Sequence, residues 1–175
     1  MYRVFGSAGS DGRREAQALL CAALRLAYGV EELPVMARTE KGKPYFPGCP
    51  GLHFNLSHSG GLCLCAVGDG QVGVDIELVR PRRALDALAG RAFSAPELGW
   101  FIEQGGGLED FYILWTRKEA LAKFTGEGIA DVRGVVPPLP GEESISPAVK
   151  SWTGEGWQAA VCCAAPPEKI EWLRL

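Results

Sequence analysis

The clearest periodicity in the chain lies at Val72-Gly73-Val74-Asp75-Ile76-Glu77-Leu78, where apolar residues fall at every second position. That period marks a strand with one buried face. The opposite face carries Gly73, Asp75 and Glu77. Residues two apart on a strand point the same way, so the two carboxylates stand side by side. They repel unless a cation lies between them or both reach water. Gly73 leaves room for something to approach the backbone. Elsewhere the pattern predicts a first strand at Tyr2–Gly6, a polar turn at Ser7–Gly12, and a helix capped by Asp11. That helix has Leu19, Leu20, Ala23, Leu24 and Tyr28 on one face and ends at Gly29. A short strand follows at Val35–Thr39, then a stiff loop rich in Gly and Pro at Glu40–Pro47. Phe54 and Leu56 alternate as in a strand that opens at Ser57 into a turn ending at Gly61. Leu62–Val67 and Val72–Glu77 read as two strands joined into a hairpin by Gly68-Asp69-Gly70.

The second half of the chain is predicted to be helical first and then extended. Ser94-Ala95-Pro96-Glu97 is a capping box that starts a helix carrying Leu98, Phe101 and Ile102. The longest helix is Glu109–Phe124, closed by Gly126. Its stripe runs through Phe111, Leu114, Trp115, Leu121 and Ala122. Lys118 breaks that stripe where an apolar residue is expected, which calls for a buried anion. Glu119 lies at the stripe's margin, four residues before Lys123, so these two share a face. Val149–Trp152 and Gly156–Ala165 read as a hairpin, and Ile170–Leu175 as a last strand.

Length and composition narrow the class. A chain of 175 residues with 47% apolar content fits one compact globular domain, or two small halves sharing a core. A net charge of −3 gives no global pull toward nucleic acid or membrane. No apolar run reaches the length of a membrane span, and Met1–Gly6 lacks the long apolar core of a signal peptide. Six cysteines occur at 21, 49, 63, 65, 162 and 163, none in C-x-x-C spacing. They are expected to be free thiols in a reducing cytoplasm, with no zinc site.

Several clusters carry candidate chemistry. An isolated D-x-E is more often a solvated strand face than a metal site. Two hard oxygen ligands on a strand nevertheless suit Mg²⁺, which takes one or two carboxylates and leaves the rest of its shell to water and phosphates. Ser57, His58 and Ser59 form a dense set of donors beside glycine amides, suited to phosphate oxygens or to a simple polar turn. A Ser–His nucleophile is a poor reading, because no G-x-S-x-G elbow surrounds the pair. Arg13 and Arg14 sit in a first helical turn, where cations oppose the helix dipole unless they face solvent or an anion. Arg80, Arg82 and Arg83 form a basic loop just past the carboxylates, suited to the acidic helix of a partner.

In order, the chain reads G-K-P-Y-F, F-N-L-S-H-S, G-V-D-I-E, and W-T-R-K-E-A-L-A-K. This series resembles the 4′-phosphopantetheinyl transferase superfamily, in its single-chain two-repeat class, from Arg13 to Phe124. The resemblance implies two pseudo-symmetric α/β halves, about 1–70 and 71–175, with coenzyme A in the cleft between them. It implies transfer of the coenzyme's phosphopantetheine arm to a serine of an acyl, peptidyl or aryl carrier protein, with release of 3′,5′-ADP. Such enzymes serve fatty acid, polyketide and nonribosomal peptide synthesis. Mg²⁺, or Mn²⁺ in its place, is expected on Asp75, Glu77 and Glu119. Glu119 and Lys123 are expected at the reacting centre, with Lys43, Ser57, His58, Asp75, Lys118 and Lys123 around the coenzyme. The region before the first helix is shorter than is usual in this class. Some contacts to the coenzyme's 3′-phosphate are therefore expected to be missing, or replaced by Arg13, Arg14 or Lys41. A monomer is expected. Two other readings use the same residues: a module that binds coenzyme or carrier without transfer, and a Mg²⁺-dependent nucleotide pyrophosphatase.

Overall fold

A computed structural model describes residues 1–9, 12–128, 132–142 and 146–175, without the side chain of Arg13. The predicted cap at Asp11 lies outside the described residues. The elements follow the order β1 (Tyr2–Ala8), α1 (Gly12–Tyr28), β2 (Ala37–Arg38), β3 (Pro44–Tyr45), β4 (His53–Ser59), β5 (Leu62–Gly68) and β6 (Gly73–Leu78). They continue with α2 (Leu85–Ala92), α3 (Ala95–Glu103), α4 (Leu108–Thr125), β7 (Ala148–Gly154), β8 (Trp157–Cys163) and β9 (Ile170–Trp172). This is an α+β fold built on two main sheets. The first has the order β4-β5-β1-β9 and the second β6-β8-β7, with β2 and β3 paired apart.

Alternation along the strands explains the layering. In the first sheet Phe5, Phe54, Cys63, Cys65 and Val67 face α1, where they meet Leu19, Leu20, Ala23 and Leu24. Their neighbours Val4, Leu64 and Ala66 face the other way and meet Val74, Ile76, Ala159 and Val161 of the second sheet. The alternate residues of that sheet, Val149, Ala160 and Cys162, pack on Ala120 and Leu121 of α4. Each half is therefore one sheet under one long helix, and the two sheets share an apolar interface. Both faces of β8 are closed to water, so its Gln158–Cys163 run is buried throughout, the pattern of an interior strand.

The predicted hairpin between Leu62–Val67 and Val72–Glu77 does not form. Strand β5 pairs with β4 and β1 in the first sheet, while β6 pairs with β8 in the second. Gly68-Asp69-Gly70 is thus a crossing between sheets. The true tight turn is Gly60-Gly61, at φ 55° and 88°, joining β4 to β5. Glycines at both central positions favour this two-residue hairpin turn. Ser57, His58 and Ser59 consequently lie on strand β4 and not in a turn. Helix α2 was not predicted. It follows Ala84, a non-glycine residue at φ 53°, and its Leu85, Leu88, Ala89, Ala92 spacing was the available signal. The last strand is shorter than predicted. It returns to the first sheet, parallel to β1, with Val4 opposite Ile170. Arg3 Nε and Nη2 clamp the Glu171 carboxylate at 2.8 and 2.6 Å across that pairing.

The face of β6 opposite its valines is covered by α4. At Gly73 the helix backbone comes so close that a Cβ would lie 2.1 Å from the Ala120 carbonyl oxygen and 2.3 Å from the Phe124 nitrogen. The space expected beside Gly73 is thus taken by the helix that carries Glu119 and Lys123. Gly73→Ala should lower stability by about 3 kcal/mol. A denaturant midpoint equal to that of the parent protein would show that α4 can back away.

Candidate active site

The carboxylates of β6 lie where the two sheets meet. Within its own sheet β6 is an edge strand, and its outward amides are covered by side chains of β4. Val74 N donates to Asn55 Oδ1 at 2.9 Å, Ile76 N to Ser57 Oγ at 3.3 Å and Leu78 N to Ser59 Oγ at 3.2 Å. Alternate residues of one strand thereby serve alternate amides of the other. The same hydroxyls turn toward the acids. Ser57 Oγ donates to Asp75 Oδ1 at 2.7 Å, and Ser59 Oγ to Glu77 Oε2 at 2.8 Å.

Asp75 is buried, at 3% exposure. Its Oδ1 also accepts from Lys123 Nζ at 2.7 Å, and Lys123 reaches Ser57 Oγ at 3.0 Å. Its Oδ2 is buried with no hydrogen-bond partner among the described residues. Burial raises Glu77 above the ordinary carboxylate range, and Asp75 adds to the shift against the hydrogen bond from Ser59. Glu119, half-buried on α4, is pushed up to about 7, first by burial and then by Asp75, with Lys123 opposing. Lys123 acts on all three carboxylates, and Arg82 acts on Glu77 as well. The orphan oxygen and the raised acids are the signature of a site short of positive charge. The hard oxygen donors fit Mg²⁺ or Mn²⁺. Among the described residues, no group of three His, Cys, Asp or Glu side chains is already arranged to hold a metal ion. Asp75, Glu77 and Glu119 are brought to one place but do not form a closed cage, and Lys123 holds one oxygen of Asp75.

Two adjoining clefts open at this seam. One of about 390 Å³ is lined by Asn55, Leu56, Glu119, Ala122 and Lys123. The other, about 440 Å³, is lined by Thr39, Tyr45, His53, Gln71 and Thr125. Lys41, Lys43, Pro44 and Gly126 line both. Lys43 Nζ donates to the carbonyls of Phe124 at 2.8 Å and Val72 at 3.3 Å, and burial holds it below the usual lysine range. It therefore stands on the cleft wall while bound to the end of α4. Lys41 pairs with Glu127 on the same wall.

The other candidates are placed differently. His58 is exposed, and the alternation of β4 puts it on the face opposite Ser57 and away from the carboxylates. Arg14 is exposed on the first turn of α1 and lines neither cleft. Lys118 does not face the cleft. It is fully buried, and its Nζ donates to Glu97 Oε1 at 2.8 Å and Oε2 at 2.7 Å, and to the Val135 carbonyl. The buried anion its position demanded is a glutamate of this chain, so the expected coenzyme contact does not hold. Glu97 in turn accepts from Ser94 N at 2.7 Å, so one carboxylate caps α3 and neutralises α4. Arg117 was also missed. Buried on α4, it donates to the carbonyls of Pro138 and Leu139 and to Ser151 Oγ.

Known proteins resemble this chain in sequence. The family model of the 4′-phosphopantetheinyl transferase superfamily matches residues 71–162. The chain is 41% identical over 107 residues to the 4′-phosphopantetheinyl transferase psf-1 of Bacillus pumilus, covering 59% of this chain and 45% of that one. It is 39% identical over 127 residues to the 4′-phosphopantetheinyl transferase AcpT of Salmonella typhi, covering 69% and 65%. It is 32% identical over 155 residues to AcpT of Escherichia coli K12, covering 85% and 77%. The chain belongs to the 4′-phosphopantetheinyl transferase superfamily. It spans 45% and 65% of the first two relatives' lengths. No helix among the described residues is long and apolar enough to cross a membrane.

Two tests follow from the charges. The carboxyl of Glu119 goes from 4.5 to about 7, so the folded protein holds this proton more tightly than the unfolded chain. Its contribution to stability is complete below the ordinary glutamate range and is lost as pH rises through about 7. Without divalent cation, the melting temperature should fall between about pH 5 and about pH 8, and Glu119→Gln should flatten that slope. An unchanged slope in the variant would place the titrating group elsewhere. For the buried pair, Lys118→Met should cost about 3–5 kcal/mol by stranding Glu97. Adding Glu97→Gln should recover part of that loss in chemical denaturation. Strictly additive losses would mean the two charges do not depend on each other.

Proposed function

We propose that this protein is a Mg²⁺-dependent phosphopantetheinyl transferase that converts an apo carrier protein to its holo form. The observation that carries the reading is that Glu119 and Lys123, which line the smaller cleft, stand against Asp75 and Glu77 in the seam behind it. Coenzyme A would occupy the joined clefts, with Lys43 and Lys41 on the wall beside its phosphates. Asp75, Glu77 and Glu119 would hold the cation, which, when bound, neutralises charge on the pyrophosphate. The carrier's serine oxygen forms a bond to the β-phosphorus as the bond to 3′,5′-ADP breaks. Glu119, beside the cation, would take the serine proton. Lys123, next to Asp75, stabilises the charge that grows on the phosphoryl oxygens, since phosphoryl transfer is mainly positioning and electrostatics. No disulfide is formed among the described cysteines, in keeping with a reducing cytoplasm, and we infer a monomer acting on a separate acyl, peptidyl or aryl carrier.

A module that binds coenzyme or carrier without transfer is the second reading. It is favoured by Lys43 and Lys123 already having partners. The two are separated by incubating the protein with coenzyme A, Mg²⁺ and an apo carrier, then weighing the carrier by intact mass spectrometry. A gain of one phosphopantetheine, lost with EDTA, is expected. Asp75→Asn should reduce the rate about 100-fold or more. Coenzyme binding with no mass gain on acyl or peptidyl carriers would leave the binding module.

A further inference from the structure

We infer that Ser59 is a positioning residue for the cation site, fixing Glu77 from the opposite half of the molecule. This rests on the metal-dependent reading above. Ser59 ends strand β4, and its hydroxyl makes two directional bonds. It accepts from Leu78 N at 3.2 Å and donates to Glu77 Oε2 at 2.8 Å. A serine hydroxyl has one proton to give, so the bond to the carboxylate fixes where that proton goes. Ser57 makes the matching pair of bonds one step along the strand, accepting from Ile76 N and donating to Asp75 Oδ1. Asn55 serves the third amide of the seam, that of Val74, at a position where β6 carries Gly73 and no acid. The two serines thus stand where β6 has a carboxylate to orient, and the amide-bearing side chain stands where it has none.

The two acids are not equally supported. Asp75 is also held by Lys123. Glu77 is half-buried, and its hydrogen bond in this structure comes from Ser59. A glutamate has one more rotatable bond than an aspartate, so it has more freedom to lose its aim. Partners of a ligating carboxylate typically change metal affinity by about 10–100-fold. Ser59 therefore couples the seam between halves to the cation site. Loss of its hydroxyl should be felt in cation affinity as well as in stability.

The test uses Mn²⁺ as the probe, titrated into the full chain in the presence of coenzyme A and followed by the loss of the free-ion electron paramagnetic signal. Ser59→Ala is expected to weaken Mn²⁺ binding about tenfold or more, and Ser59→Thr, which restores the hydroxyl, to recover most of it. Thermal melting without cation, run on all three proteins, reads the seam separately. Unchanged Mn²⁺ affinity in Ser59→Ala, or weakened affinity that threonine does not restore, would overturn the positioning role and leave the transferase reading intact. A parent protein that binds no Mn²⁺ would overturn both.

Discussion

The outward amides of Val74, Ile76 and Leu78 have no strand beside them in their own sheet, and an uncovered edge invites unwanted pairing. In this protein the edge is closed by three polar side chains of β4, Asn55, Ser57 and Ser59. Everything at the site depends on that choice. A backbone-paired strand would have merged the two sheets into one and left no cleft. Side-chain pairing spaces the strands further apart and puts hydroxyls within reach of Asp75 and Glu77. The seam therefore holds the two halves in register and aims the acids with the same atoms.

Charge is handled in two opposite ways on helix α4. Lys118 and Glu97 are both fully buried and satisfy each other, with Ser94 and Val135 taking up further bonding capacity. A pair of this kind gives little net stability, but breaking it is costly, so it fixes the rotation of α4. One residue further on, Glu119 is left beside two other carboxylates and a shared Lys123, and its proton affinity is raised accordingly. The fold tolerates this imbalance on the cleft side because the other face of the helix is firmly anchored. Arg117 adds to that anchoring through the carbonyls of Pro138 and Leu139.

Much of this was legible in the sequence where the signal was local. The alternation through Val72–Leu78 identified the strand and separated its apolar face from its acidic one. The break in the α4 stripe at Lys118 revealed a buried anion, although not that the anion would be Glu97, because that partner lies on another helix 21 residues away. The Asp69-Gly70 signal misled, since turn chemistry is the same whether the chain doubles back or crosses to another sheet. Hydrophobic contacts between Leu64, Ala66 and Val74 decided that question, and no local pattern encodes them. The seam was hidden for a related reason. Asn55, Ser57 and Ser59 have the period of a strand face, but a polar face reads as solvent-facing until a second backbone is known to lie against it.

The return of β9 to the first sheet has a consequence for how the chain is made. Strand β1 gains β5 within about seventy residues, yet its other flank stays bare until Ile170–Trp172 leave the ribosome. Strand β1 is thus completed by β9, and the Arg3–Glu171 clamp, spanning 168 positions, can close only after Glu171 has emerged. Neither half is a self-sufficient folding unit in this arrangement. Until β9 emerges, the nascent chain carries an open strand edge, the kind of surface that exposes a folding chain to aggregation.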